Sequence, residues 1–174
     1  MTTPKEIEAA IRNVPDFPKA GIQFKDITPL LADARLFAAT IDHLINNFKP
    51  GSVDAVVGID ARGFIFAAAA ALKLNAGFVP VRKKGKLPYK THEQDYALEY
   101  GSATIAMHVD ALKPGDRVLL VDDLLATGGT AAAAAALVKK LGAQIVEISF
   151  LIELKFLNGR EKLKDYPVRS VVVY

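Results

Sequence analysis

The sequence predicts an α/β fold in which a mostly parallel central sheet is flanked by helices, and three observations predict it. Short, largely apolar runs of strand length recur at 53–59, 77–81, 118–121 and 145–151. Val118 to Val121 is apolar at every position, the pattern of a strand buried on both faces of a parallel sheet. A segment of helical period, 36–48, precedes the first run, and alanine-rich segments lie between later runs at 64–74 and 131–141. Ligands of open α/β sheets sit beyond the carboxyl ends of the strands, so residues there are the first candidates for function.

At 174 residues the chain is expected to be one domain that buries about 70% of its unfolded surface. It has no cysteine, which excludes disulfides and thiolate zinc sites and permits a reducing compartment. The N-terminus lacks an apolar core behind basic residues, and no charge-free apolar run reaches the roughly 18 residues of a membrane span. A soluble, cytoplasmic protein with no membrane partner is expected. The net charge is only +3, with basic residues spread along the chain apart from one cluster, Arg82-Lys83-Lys84-Gly85-Lys86. Such a cluster suits a small polyanion better than nucleic acid.

Thr3-Pro4-Lys5-Glu6 has the form of a capping box with proline at the first helical position. A short helix follows with Ile7, Ala10 and Ile11 on one stripe, ended by Pro15 and Pro18. Residues 16–31, DFPKAGIQFKDITPLL, mix proline, glycine and apolar residues without a period, so an irregular, partly exposed segment is expected. A loop this apolar either covers something or packs on the core as an arm. Asp33 reads as the N-cap of a helix with Leu36, Phe37, Thr40, Ile41, Leu44, Ile45 and Phe48 on one face, stopped by Pro50-Gly51.

Val53 to Ile59 is the first buried strand, with Asp60-Ala61-Arg62-Gly63 at its end and an alanine-rich helix from about Phe64 to Leu74 behind it. Arg62 there suits a phosphate or a structural acid, and the residue alone leaves the two open. Gly77 to Val81 is a second strand that runs into the basic cluster. The polar stretch LPYKTHEQD, 87–95, lacks apolar periodicity and predicts a mobile loop, a candidate lid. Tyr96 to Tyr100 and Ser102 to Val109 read as a β-excursion closed by Pro114-Gly115. After the helix 131–141, Gly142 is a C-cap and Ile145 to Leu151 a further buried strand. Asn158-Gly159 makes a turn, and Val168 to Tyr174 is a last, β-branched strand. The alanine runs 67–71 and 131–136 are read as close helix-to-sheet packing. His43, His92 and His108 show no ligand-like spacing, so no metal site is expected of them.

The richest stretch is Val118 to Thr130, VLLVDDLLATGGT. A small, glycine-rich turn between strand and helix lets backbone N–H groups close around an anion, and the helix N-terminus adds partial positive charge. Thr127 and Thr130 add hydroxyl donors, while Asp122 and Asp123 accept hydrogen bonds from sugar hydroxyls. By itself Gly-Gly is a tight turn, and an Asp before a helix is a cap. Apolar run, acid pair, glycine loop and helix in that order favour a ribose 5-phosphate with the acids on its 2′- and 3′-hydroxyls. The loop has neither GxxxxGKT nor GxGxxG, the two common phosphate motifs.

VDDLLATGGT resembles the phosphoribosyl diphosphate (PRPP) motif of the type I phosphoribosyltransferases. Further stretches are similar to the adenine phosphoribosyltransferases: FPKAGIQFKDITPLL, Ala61-Arg62-Gly63-Phe64, Arg82 to Pro88, Leu98-Glu99-Tyr100-Gly101 and Asn158 to Leu163. They follow that family's order across nearly the whole chain. Ala20 departs from the family's usual FPxPGI, and Lys25 stands where some members carry Arg, which keeps the charge without the planar fork.

The resemblance implies a single-domain type I phosphoribosyltransferase fold over 1–174, with a hood at about 15–31 and a flexible loop at about 83–100. It implies transfer of the 5-phosphoribosyl group from PRPP to adenine, giving AMP and pyrophosphate in purine salvage, by a homodimer. Mg²⁺ is expected mainly through PRPP and water, with no protein metal site. By the same resemblance Ala126, Thr127, Gly128, Gly129 and Thr130 hold the phosphate, and Asp122 and Asp123 the ribose. Arg62, Arg82, Lys83 and Lys86 face pyrophosphate, and Gln23, Phe24, Lys25 and Leu154 contact adenine. Glu99 handles a proton at the base. A transferase for xanthine, hypoxanthine or guanine would share the PRPP loop but need other base contacts. A PRPP-sensing regulator would need a DNA-binding region, for which the stretch before Asp16 is too short.

Overall fold

The computed structural model describes residues 2–98 and 101–174. The chain divides into two compact units, Met1–His43 and Leu44–Tyr174.

In the first unit, α1 (Pro4–Ala9) starts at the expected capping box: Glu6 N–H donates to Thr3 Oγ1 at 3.4 Å, and Thr3 N–H to Glu6 Oε2 at 2.8 Å. The helix ends earlier than its apolar stripe suggests. Arg12–Pro15 forms β1, paired antiparallel with β2 (Gln23–Asp26), and α2 (Thr28–Ala32) follows. The stretch 16–31 is therefore only partly irregular. Its ladder is fixed by pairs across the ribbon that have no local period, among them Arg12 Nε to Asp26 Oδ2 at 3.0 Å and Asn13 Nδ2 to Gln23 Oε1 at 2.9 Å. Asp33 caps α3 (Ala34–Leu44) as expected, accepting from Leu36 N–H at 3.0 Å. Thr40 is fully buried on this helix and donates to Leu36 O at 2.8 Å.

The second unit is a seven-stranded sheet. Its members are β3 (Ala55–Ile59), β4 (Gly77–Lys83), β5 (Thr91–Ala97), β6 (Ser102–His108), β7 (Arg117–Leu125), β8 (Gln144–Glu153) and β9 (Val168–Val173), in the order β5-β6-β4-β3-β7-β8-β9. The five strands from β4 to β9 in that order are parallel, and β6 and β5 extend the sheet antiparallel. Two helices cover the sheet, α4 (Arg62–Leu74) and α5 (Gly129–Lys140). Strand residues alternate between faces. Ala55, Val57, Ile59, Val118 and Leu120 share one core with Ala131, Ala134, Leu137 and Val138 of α5. Val56, Leu119 and Val121, at the intervening positions, are also fully buried, and α4 packs on β3 and β7. The alanine run of α4 lets that helix sit close: a Cβ on Gly58 would stand 2.6 Å from Ala67 Cβ. Leu137 is fully buried, and its truncation to Ala would cost about 2–5 kcal/mol.

Two boundaries differ from expectation in ways that matter for function. β7 runs on to Leu125, so Asp122 and Asp123 lie within the strand instead of after it. The ladder with β8 carries it there, pairing Asp122 with Phe150, Leu124 with Ile152 and Leu125 with Glu153 regardless of side-chain polarity. Likewise 91–95, expected in the polar loop, joins Tyr96 and Ala97 of the expected β-excursion in strand β5, paired residue for residue with β6 from Thr91↔His108 to Ala97↔Ser102. Its polar residues hide it because this edge strand fully buries none of its residues.

Candidate active site

The site is built at the carboxyl end of β7. Beyond Leu125 the chain makes a three-residue loop, Ala126-Thr127-Gly128, and enters α5. Gly128 is the N-cap, at φ 78° and ψ −1°, a left-handed conformation that glycine adopts without steric cost. It has no side chain with which to cap, so the first-turn N–H groups of α5 are left to an anion. The cavity in front of them, about 80 Å³, is lined by Asp122, by 124–131 and by Phe150.

The acid pair lies just before this loop. Asp122 Oδ1 accepts from Asp123 N–H at 2.9 Å, and Asp123 Oδ2 lies 2.6 Å from Arg62 Nε. Burial, and then the charge of Asp123, push the Asp122 carboxyl well above the usual carboxylate range. Burial raises Asp123 as well, against the opposing pull of Arg62. Arg62 thus sits against an acid pair whose burial disfavours a second negative charge. Arg62 begins α4, and Gly63 beside it admits the approach: a Cβ there would stand 2.5 Å from Asp122 Oδ1 and 3.2 Å from Val121 O. For Arg62, the structure thus supplies the acid partner that its sequence position left open.

The basic cluster forms a second group. Arg82, within β4, donates from Nε to Asp60 Oδ2 at 3.0 Å and from Nη1 to Lys86 O at 3.2 Å, which ties the turn 83–86 to the end of β3. Lys83 and Lys86 are exposed, and Lys84 pairs with Glu93 at 2.8 Å. The adenine candidates fall in two places. Leu154, half-buried, donates its N–H to Leu125 O at 2.9 Å and so adjoins the loop. Gln23, Phe24 and Lys25 share β2 of the first unit, with Phe24 edge-on to Phe17 at 5.1 Å between ring centroids. Glu99, the candidate for proton handling, lies outside the described residues.

Two residues whose part in the site the sequence did not disclose stand behind the loop. A Cβ on Gly128 would collide with Gly159 O, and one on Gly159 would collide with Ala126 O. Arg160 forks onto Glu153 with bonds of 2.8 and 2.7 Å, which holds the Glu153 carboxyl below its usual range. Asn158-Gly159 announces a turn, but nothing local announces what the turn touches.

Fold and geometry together define an α/β protein with a candidate anion site at a strand, glycine loop and helix junction, preceded by the Asp122–Asp123 pair. Comparison with known proteins makes this specific. The phosphoribosyl transferase domain family matches residues 23–173. An adenine phosphoribosyltransferase of Acidothermus cellulolyticus is 61% identical over 95% of this chain and 94% of its own. The crystal structure of adenine phosphoribosyltransferase from Thermoanaerobacter pseudethanolicus superposes with a TM-score of 0.95 at 49% identity, covering 99% of this chain and 100% of that one. The Saccharomyces cerevisiae adenine phosphoribosyltransferase, complexed with an imino-altritol bisphosphate and adenine, superposes at 0.91 with 42% identity over 97% of each chain. The chain belongs to the phosphoribosyltransferase family, and within it to the adenine phosphoribosyltransferases.

Proposed function

We propose that the protein transfers the 5-phosphoribosyl group of PRPP to adenine, releasing AMP and pyrophosphate, in purine salvage. The observation that carries this reading is the uncapped α5 N-terminus and its glycine loop, set directly after the Asp122–Asp123 pair. Ala126 to Thr130 take the 5′-phosphate, and the two acids take the ribose hydroxyls. Breaking the bond from the anomeric carbon to pyrophosphate builds positive charge on the ribose ring and negative charge on the leaving group. Carboxylates beside the ring and the cations Arg62, Arg82, Lys83 and Lys86 answer those charges by preorganised electrostatics. Adenine nitrogen attacks from the opposite face, so no covalent nucleophile is required. Gln23, Phe24, Lys25 and Leu154 are assigned to adenine, and Glu99 to the proton on the base, by likeness to the family. A carboxyl on a closing loop there would also help exclude water.

A carboxylate pair fits a cation that keeps its waters and substrate oxygens, as Mg²⁺ does, and among the described residues no group of three or more ligating side chains surrounds a metal. Mg²⁺ held mainly through PRPP would neutralise charge on the departing pyrophosphate. A C₂ homodimer is proposed through the outer face of α4, where Ile65, Ala69 and Leu72 fall in line and Leu72 is 86% exposed. No described helix is long and apolar enough to cross a membrane, and a cytoplasmic location is proposed.

A purine panel with PRPP and Mg²⁺ tests the function. Adenine should be converted to AMP far faster than hypoxanthine, guanine or xanthine. Turnover of an oxopurine in its place would move the protein to another base, and PRPP binding without turnover of any base would make it a sensor. Sedimentation at working concentration tests the dimer, with Leu72→Glu expected to yield monomer.

A further inference from the structure

The ladder between β7 and β8 stops at Leu125, so the phosphate loop that follows has no sheet partner to hold it. A glycine-rich loop left to itself samples many conformations, and ordering it on binding would weaken affinity. The turn after β8 supplies the missing support. A Cβ built on Gly159 would collide with Ala126 O and lie 2.9 Å from Leu125 Cδ1 and 3.1 Å from Gly128 N. Built on Gly128, it would collide with Gly159 O and lie 3.1 Å from Gly159 C. Loop and turn thus touch backbone against backbone, and Gly159 stands against cavity-lining residues without lining the cavity itself.

The turn is itself anchored. Asn158 reverses the chain at φ 51°, and the next side chain but one, Arg160, spends all three guanidinium nitrogens on the sheet. Nε reaches Glu153 Oε1 at 2.8 Å, Nη2 reaches Glu153 Oε2 at 2.7 Å, and Nη1 reaches Val168 O at 2.9 Å. Ser170 Oγ completes the knot by donating to Glu153 Oε2 at 2.6 Å. The clamp therefore fastens Gly159 to the ends of β8 and β9. A planar fork with several fixed bonds does this where a flexible ammonium could not.

We propose that Gly159, fixed by the Arg160 clamp, is a positioning residue for the phosphate loop. It keeps 126–128 pressed into the conformation whose N–H groups face the ligand. The inference rests on the reading that this loop takes the 5′-phosphate, and it predicts an effect on the sugar phosphate that is not shared by the base.

The experiment is calorimetric titration of ribose 5-phosphate into the parent, Gly159→Ala and Arg160→Lys, with melting curves and the KM for adenine at saturating PRPP. Gly159→Ala should bind ribose 5-phosphate about tenfold or more weaker, and Arg160→Lys about threefold or more, with adenine KM close to the parent value. If Gly159→Ala fails to fold, Arg160→Lys decides by the same criterion. Parental ribose 5-phosphate affinity in the folded variants overturns the proposal, as do equal losses for both ligands, which would mark the clamp as general scaffolding. The titration needs no adenine, so the two readings fail separately. A parent that binds ribose 5-phosphate and forms no AMP overturns the transferase reading alone, while one that does not bind it overturns both.

Discussion

The ends of β7 and β4 both carry candidate ligand groups beyond strands of one sheet, yet they are built in opposite ways. At β7 the elements are backbone and buried carboxylate: Gly128 and Gly129 are buried, and Asp123 is 7% exposed. At β4 they are long cations in water, with Lys83, Lys84 and Lys86 exposed and Arg82 tied by one pair to Asp60. The first arrangement recognises a shape and tolerates almost no change. The second supplies charge, which several residues share and salt can screen.

The sharpest test of that contrast is Gly128→Val. A side chain there would meet Gly159 O and require a left-handed φ of 78°, so turnover should fall by more than about 10²-fold, while circular dichroism should still show a folded sheet. Near-parental kcat/KM would mean the cradle is not where the phosphate sits. Next in size is the acid pair. Replacing Asp122 and Asp123 together by Asn should weaken PRPP binding and turnover jointly, by roughly 10- to 100-fold for lost charge-assisted bonds. Unchanged kinetics would return the pair to a structural role.

Asp122 also separates function from stability by the sign of its pKa shift. Its folded-state value lies well above the ordinary 3.8, so the folded protein binds the extra proton and loses stability as pH rises from about 3.8 through the raised value. Asp122→Asn should therefore melt higher than the parent at pH 7, with the gap closing as pH falls toward 4. A lower Tm at pH 7 would show that the carboxylate is stabilising in the free protein. On the β4 side, Arg82→Ala should raise the KM for PRPP by about tenfold, and the gap should narrow as salt is added. A salt-independent loss would class Arg82 with the shape-reading groups of β7. The smallest effect belongs to Lys84→Ala, which breaks only the exposed pair with Glu93 and should move Tm by no more than about 1 °C.

The same contrast separates what the amino-acid sequence discloses from what it hides. The strand, loop and helix of 118–130 is legible because its signals are local: an apolar run, glycines where the chain must turn, and alanines that favour helix. The capping box at Thr3 and the cap at Asp33 are legible for the same reason. What escapes depends on partners far along the chain. The Arg62–Asp123 pair joins residues on different elements, and a guanidinium cannot announce which acid it will meet. The first five residues of β5 are hidden because an edge strand needs apolar residues on few of its positions, and THEQD offers none. β7 runs past its apolar stretch because a ladder is made by backbone groups, to which the change from Val121 to Asp122 is invisible. Gly159 is legible as a turn residue and illegible as the neighbour of Gly128.

That neighbourhood also bears on how such a chain can drift. When two side chains crowd each other, enlargement of one is commonly relieved by trimming the other, and the pair wanders together through sequence space. Gly128 and Gly159 have no such escape, since a carbon on Gly128 would press into the main chain of Gly159 and one on Gly159 into Ala126 O, and a main chain has nothing to trim. Compensation would have to come from shifting a whole segment, which the Arg160 fork and the β7–β8 ladder oppose. A library randomised at both positions should accordingly return active clones with glycine at both, and no correlated pairs.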